Sequence, residues 1–153
     1  MHTAALLSLA VIAGSAASPP PKPNEPVGIV SNVYRRLILA QSSGSDYTPS
    51  ENLYTPRLRK LFEDDRKKAN GEVGCIDFVF WMNGQDGAIK NLAVTRGAVT
   101  EDSQTVVAKF TSTGTPQEIH LIFRLVDDRW LLDDAESLTE PRWTLSKLLS
   151  CWP

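Results

Sequence analysis

The stretch Glu118-Ile119-His120-Leu121-Ile122-Phe123-Arg124-Leu125-Val126-Asp127-Asp128-Arg129-Trp130-Leu131-Leu132-Asp133-Asp134 decides the fold. Side chains alternate between the two faces of a strand, so Ile119, Leu121, Phe123 and Leu125 share one face while Glu118, His120, Ile122 and Arg124 share the other. The first set is apolar throughout and must be covered. The second is mixed, which predicts an antiparallel sheet with one open side. Asp127-Asp128 is a two-residue turn signal, and Arg129 to Asp134 is the returning strand.

The same pattern extends upstream. Thr105 to Thr111 puts Val106, Ala108 and Phe110 on one face, and Ser112-Thr113-Gly114-Thr115-Pro116 turns the chain toward Glu118. Ile89 to Arg96 is a further strand, bounded by the Asn83-Gly84-Gln85-Asp86-Gly87 turn and by Gly97 to Ser103. Before that turn, Cys75 to Met82 is the densest apolar and aromatic run of the chain. The expected sheet therefore has about four strands.

Its cover comes from helices. Val30, Val33, Tyr34, Leu37 and Ile38 recur at helical spacing, which predicts a helix from Val27 to about Ala40 ended by Gln41-Ser42-Ser43-Gly44. Thr55-Pro56 reads as an N-cap followed by proline at the first helical position, and the helix runs to Ala69 before Asn70-Gly71. Leu58, Leu61 and Phe62 form its narrow apolar face. Arg59 with Glu63, Lys60 with Asp64, Glu63 with Lys67 and Asp64 with Lys68 are spaced to pair along a solvated face. A last helix is expected from Pro141 to Leu149, docking through Trp143, Leu145, Leu148 and Leu149. Helices segregated to one side of an antiparallel sheet define an α+β domain, here residues 27–153.

Residues 1–17 read differently. The apolar run Ala4 to Ala13, the small residues Gly14 to Ala17 and the prolines that follow have the pattern of a cleaved secretory signal peptide, although no Lys or Arg precedes the run. Residues 18–26 are a proline-rich linker of polyproline II type. The expected location is the bacterial periplasm or the outside of the cell. The apolar run is too short to span a membrane. The 16 basic and 18 acidic residues give a formal net charge of −2 without a basic stripe, which argues against a nucleic-acid partner.

The two cysteines, Cys75 and Cys151, would be joined in an oxidising compartment; the alternative is two separate buried thiols. There is no Cys-x-x-Cys spacing, and His120 is the only histidine after the leader, so neither a metal nor a cofactor is expected. Asp127, Asp128, Asp133, Asp134 and Glu136 form the densest acidic group but lack the ligand order of a calcium loop. They read instead as turn residues and acceptors for neighbouring amides.

The helices-first order and the final strand Trp130-Leu131-Leu132-Asp133-Asp134 resemble the cone-shaped fold of the nuclear transport factor two superfamily. The ordered set Gly71-Glu72, Asp77-Phe78, Gln85-Asp86 and Trp130 to Asp134 is similar to a bacterial exported family, domain of unknown function 3828. The resemblance implies a curved sheet covered by helices and enclosing a pocket. It implies no reaction, since the wider fold serves enzymes, carriers and interaction modules alike.

Five residues are the candidate ligand-binding set. Asp77, between Ile76 and Phe78, must find a partner or reach the surface, because an unpaired carboxylate in an apolar stretch is costly. Gln85 and Asp86 occupy the glycine-flanked turn, and Trp81 and Tyr34 are candidate apolar walls, with core packing the plainer alternative for Tyr34. Trp130 and Trp143 read as packing anchors. His120 lies on the mixed face and reads as exposed or locally hydrogen-bonded. The leading expectation is a non-catalytic ligand- or protein-binding domain, monomeric or homodimeric. The alternatives are a small isomerase-like or hydrolase-like enzyme with Asp77 as base, and an immunity or inhibitor protein with a large exposed face and little cavity.

Overall fold

In the computed structural model the described residues are 19–153; the leader at 1–17 lies outside them. The first helix, α1 (Pro26–Ser43), opens on a proline whose missing N–H is one of the helix's orphan donors in any case. A turn closes just before it, with the Glu25 N–H donating to the Lys22 carbonyl at 3.0 Å. That carbonyl lies against Gly28, where any Cβ would collide with it, so the glycine is needed for the close approach. Gly44, in the left-handed conformation at φ 65°, ends the helix. Val30, Val33, Tyr34 and Leu37 are buried along one side, as their spacing predicts.

The second helix, α2 (Pro56–Ala69), starts where Thr55 Oγ1 accepts the Leu58 N–H at 3.2 Å. It ends at Asn70, again left-handed, with Arg66, Lys67 and Lys68 in its last turn where cations suit the helix dipole. Two of the four expected charge pairs form, Lys60 with Asp64 at 2.8 Å and Lys67 with Glu63 at 2.6 Å. Arg66 instead reaches back to Glu51 in the short 3-10 turn Glu51–Leu53. Asp65 is buried on the same side as Leu58 and Ala69.

Five antiparallel strands follow in sequential order: β1 (Ile89–Val99), β2 (Ser103–Ser112), β3 (Thr115–Val126), β4 (Arg129–Ser137) and the two-residue β5 (Trp143–Thr144). The β3 to β4 turn puts Asp127 at φ 48° and Asp128 at φ 59°, and the β2 to β3 turn puts Thr113 at 47° and Gly114 at 81°. Positive φ at both central residues matches the twist of tight hairpins. Register breaks at Lys90/Ala93 and Arg96/Val99 in β1 and at Ile122/Phe123 in β3 curve the sheet.

The core lies between the helices and the inner face, where Val106, Ala108, Phe110, Ile119, Leu121 and Phe123 are buried. Each large side chain there stabilises the fold by about 1.5–3 kcal/mol relative to exposure. Leu125, at the end of β3 beside the Asp127-Asp128 turn, is 38% exposed although it shares the parity of the buried set. The irregular run before β1 delivers Phe80, Trp81 and Met82 into the same core.

The C-terminal helix, α3 (Leu145–Leu148), is shorter than the expected Pro141 to Leu149. Trp143 and Thr144 first pair with Ser137 and Glu136, adding a strand to the end of β4. Trp143 packs against Phe78 with ring centroids 5.6 Å apart, and its indole N–H donates to Asn83 Oδ1 at 2.6 Å. Beyond α3, Cys151 is joined to Cys75 across a Cα separation of 5.7 Å. Among the described residues, no helix is long and apolar enough to cross a membrane.

Candidate protein-binding face

The five residues singled out in the sequence do not form one site. Tyr34 and Trp81 are in the core, 0% and 1% exposed, with the Tyr34 hydroxyl donating to the Trp81 carbonyl at 2.7 Å and the rings edge-on at 5.9 Å. Burial pushes the Tyr34 phenol far above its ordinary pKa, so it stays a neutral donor. As walls of a ligand pocket they are not available. Asp77 is exposed, and its backbone carbonyl accepts a hydrogen bond from Gln85 Nε2 at 2.8 Å. The environment that would make Asp77 a base, a closed apolar pocket, is not around it.

Gln85 and Asp86 lie on the rim of an open groove of about 390 Å³ between the end of α1 and the turn before β1. Leu37, Val79, Met82, Asp46 and Tyr47 also line it. Gln41 ties the two sides together: its amide nitrogen donates to the Gly87 carbonyl at 2.7 Å, and its oxygen accepts the Ile89 N–H at 3.1 Å. Sequence reasoning placed Gln41 in a helix-ending polar run and missed this role. Its position four residues after Leu37, on the buried side of α1, was the available signal.

The enclosed pocket that the family resemblance implies is filled. Tyr34, Trp81, Phe110 and Phe123 are buried together in the core between α1 and the sheet. Asp65, the buried carboxylate of the chain, accepts the Cys75 N–H at 2.9 Å and the Trp152 indole N–H at 2.6 Å. Both cysteine sulfurs beside it are spent in the disulfide, so the three residues serve as a clasp for the tail.

The uncovered face of the sheet is organised across three strands. Register places Val107, His120 and Glu136 side by side, and Lys109 beside Glu118. His120 lies 2.8 Å from Glu118 and 3.6 Å from Glu136, while Lys109 lies 3.2 Å from the second Glu118 oxygen. The hydrogen bond from His120, with Lys109 adding to it, holds the Glu118 carboxyl below the usual carboxylate range. Arg124 and Asp102 extend the row at 3.5 Å, and Ile122 and Val107 supply half-buried apolar surface between the charges. Charge and half-buried apolar side chains thus alternate along one face of the sheet.

No described protein family and no curated protein matches this chain. Among solved structures, it is similar to a chain in the crystal structure of the type VI native effector-immunity complex Tae3-Tai3 from Ralstonia pickettii. The likeness has a TM-score of 0.52 at 20% identity and covers 76% of this chain and 98% of that one. At this level it shows a shared fold. The expected membership in domain of unknown function 3828 is not supported, since no family model matches.

Proposed function

We propose that this chain is a non-catalytic protein-binding domain of the immunity type, which holds a partner protein on the open face of its sheet. The observation that carries the reading is the charged row Lys109, Glu118, His120 and Glu136 on an uncovered sheet, over a cone interior closed by its own side chains. A small ligand needs a cavity; a protein needs a wide, patterned surface. The fold likeness to a chain of an effector-immunity complex supports the same choice.

The exported location belongs to this proposal. Residues 1–17 carry the signal-peptide pattern, and the Cys75–Cys151 bond suits an oxidising compartment.

Native mass spectrometry of the mature protein from its host's periplasm tests the reading. The expected result is a heteromeric complex with a second polypeptide that is lost in the Glu118→Lys/Glu136→Lys variant while the variant keeps its melting temperature. Retention of a small molecule with no polypeptide, or a homodimer of the chain alone, overturns it.

A further inference from the structure

We infer that the free edge of β1, with the apolar groove between it and α1, receives an extended segment of another protein as an added strand, with acidic residues at the ends of that segment. This surface is separate from the open face, and the inference does not depend on what that face binds. Among the described residues β1 is an end strand of the sheet, and Ala93 to Arg96 pair with Lys109 to Val106 without a break. A regular end strand presents alternate N–H and C=O groups outward, a template for one more strand. Register breaks at Lys90/Ala93 and Arg96/Val99 bound the regular run, so the seat is short.

Beside this edge, Val27, Ser31, Arg35 and Ile38 follow one stripe of α1 at helical spacing. With Leu92 and Val94 of β1 they line a groove of about 570 Å³. Leu39, which lines it too, is 56% exposed, apolar surface that the described residues leave uncovered. The charge of the two elements selects the occupant. Together α1 and β1 hold Arg35, Arg36, Lys90 and Arg96 and no acidic residue, in a chain whose formal net charge is −2. Arg36 lies over the Tyr47 ring, and Arg96 meets Glu25 at 3.9 Å. Arg35 lines the groove and bonds a neutral group, Asn32 Oδ1, at 2.6 Å. A second copy of the chain, paired edge to edge, would set these cations against their own kind, and Lys or Arg on an edge strand guards against such self-pairing. An acidic segment reverses the sign. Main-chain bonds to Ala93–Arg96 then supply affinity, alternate apolar side chains enter the groove, and carboxylates meet Arg35 and Lys90.

The probe is the peptide acetyl-Glu-Val-Ser-Val-Glu-amide, titrated into the mature protein and followed by the amide resonances of Ala93 to Arg96. Its controls are the same peptide with lysine for both glutamates and two N-methylated forms, one methylated at the serine amide and one at both valine amides. Saturable shifts are expected, with affinity at least about tenfold weaker for the lysine peptide and for the Arg35→Glu/Lys90→Glu variant, whose melting temperature stays that of wild type. One methylated form should bind like the parent and the other should not, because successive amides of a strand point to opposite sides. Absence of saturable binding, equal affinity of the acidic and basic peptides, or equal effects of the two methylation patterns overturns the inference. Peptide binding lost in Glu118→Lys/Glu136→Lys and kept in Arg35→Glu/Lys90→Glu also overturns it, and moves the peptide to the open face. Peptide binding as expected by a protein that carries no second polypeptide from the periplasm upholds the edge site while the open-face reading fails.

Discussion

The Trp152 indole N–H donates to Asp65 Oδ1 at 2.6 Å, across 87 positions of sequence. The same oxygen accepts the Cys75 N–H, and Cys75 is bonded to Cys151, so a buried helix carboxylate, a loop amide and the chain's tail meet at one point. Hydrogen bonds to an ionised acceptor are stronger than neutral ones. The tail is thus held both covalently and by a hydrogen bond.

Removing the covalent part tests the first half of that clasp. Cys75→Ser/Cys151→Ser opens a loop with a sequence separation of 76, which the chain-entropy account values at about 4 kcal/mol. Urea unfolding should show a lower midpoint. An unchanged midpoint would mean that Asp65 and α3 hold the tail unaided.

Asp65→Ala leaves the Cys75 N–H and the Trp152 indole without their acceptor. The expected loss is about 3 kcal/mol, larger than for Asp65→Asn, which keeps one acceptor oxygen. The comparison is made by thermal melting with the disulfide intact. Equal losses for the two variants would assign the effect to the charge alone.

Tyr34→Phe removes the hydrogen bond to the Trp81 carbonyl and should cost about 1–2 kcal/mol, while Trp81→Ala should cost about 3–5 kcal/mol through the volume lost from the core. At temperatures where both variants remain folded, partner affinity should equal wild type. Reduced binding by a fully folded Tyr34→Phe protein would restore these residues to a binding role.

Acid titration reads the open face. Glu118 is held below its ordinary pKa first by the His120 hydrogen bond and then by Lys109. A depressed carboxyl contributes stability that is present above its unfolded pKa and lost as pH falls through the folded value. The side chain is about a third exposed, so the effect on stability is small and the titration itself is the readout. By NMR, His120→Ala should move the Glu118 midpoint upward; a midpoint that stays in place would put Lys109 in control.

Alkali should unfold the protein through its buried phenols. Burial pushes Tyr54 up to about 12 from 10.0, so above pH 10 the unfolded state loses a proton that the folded state keeps. Stability then falls by about 1.4 kcal/mol per pH unit for that group until the folded value is reached. Tyr54→Phe should flatten the slope of denaturation midpoint against pH, with Tyr34 supplying the remainder. An identical slope in the variant would exclude Tyr54 as a source.

Much of this architecture was legible in local patterns. Thr55-Pro56 marked the start of α2, Val106, Ala108 and Phe110 marked the inner face of β2, and Asp127-Asp128 marked a tight turn, because capping, alternation and turn geometry depend on neighbours in the chain. Trp143 and Thr144 were read as helix and are strand, since their ladder partners Glu136 and Ser137 come from a separate segment. Asp65 was passed over among charges, although its place seven residues after Leu58 put it on the buried side of α2.

The amino-acid sequence by itself determined the α+β class, the starts of α1 and α2, the inner faces of β2 and β3 and the two cysteines available for pairing, all of which are read along the chain. Only the tertiary structure decided that Tyr34 and Trp81 fill the core rather than line a cavity, that Asp77 stands in solvent, and that Asp46 and Asp86 line one groove. Those outcomes depend on which distant segments meet, and on which side chains use up the space and the hydrogen bonds when they do. Periodicity specifies a face; packing decides what is left open on it.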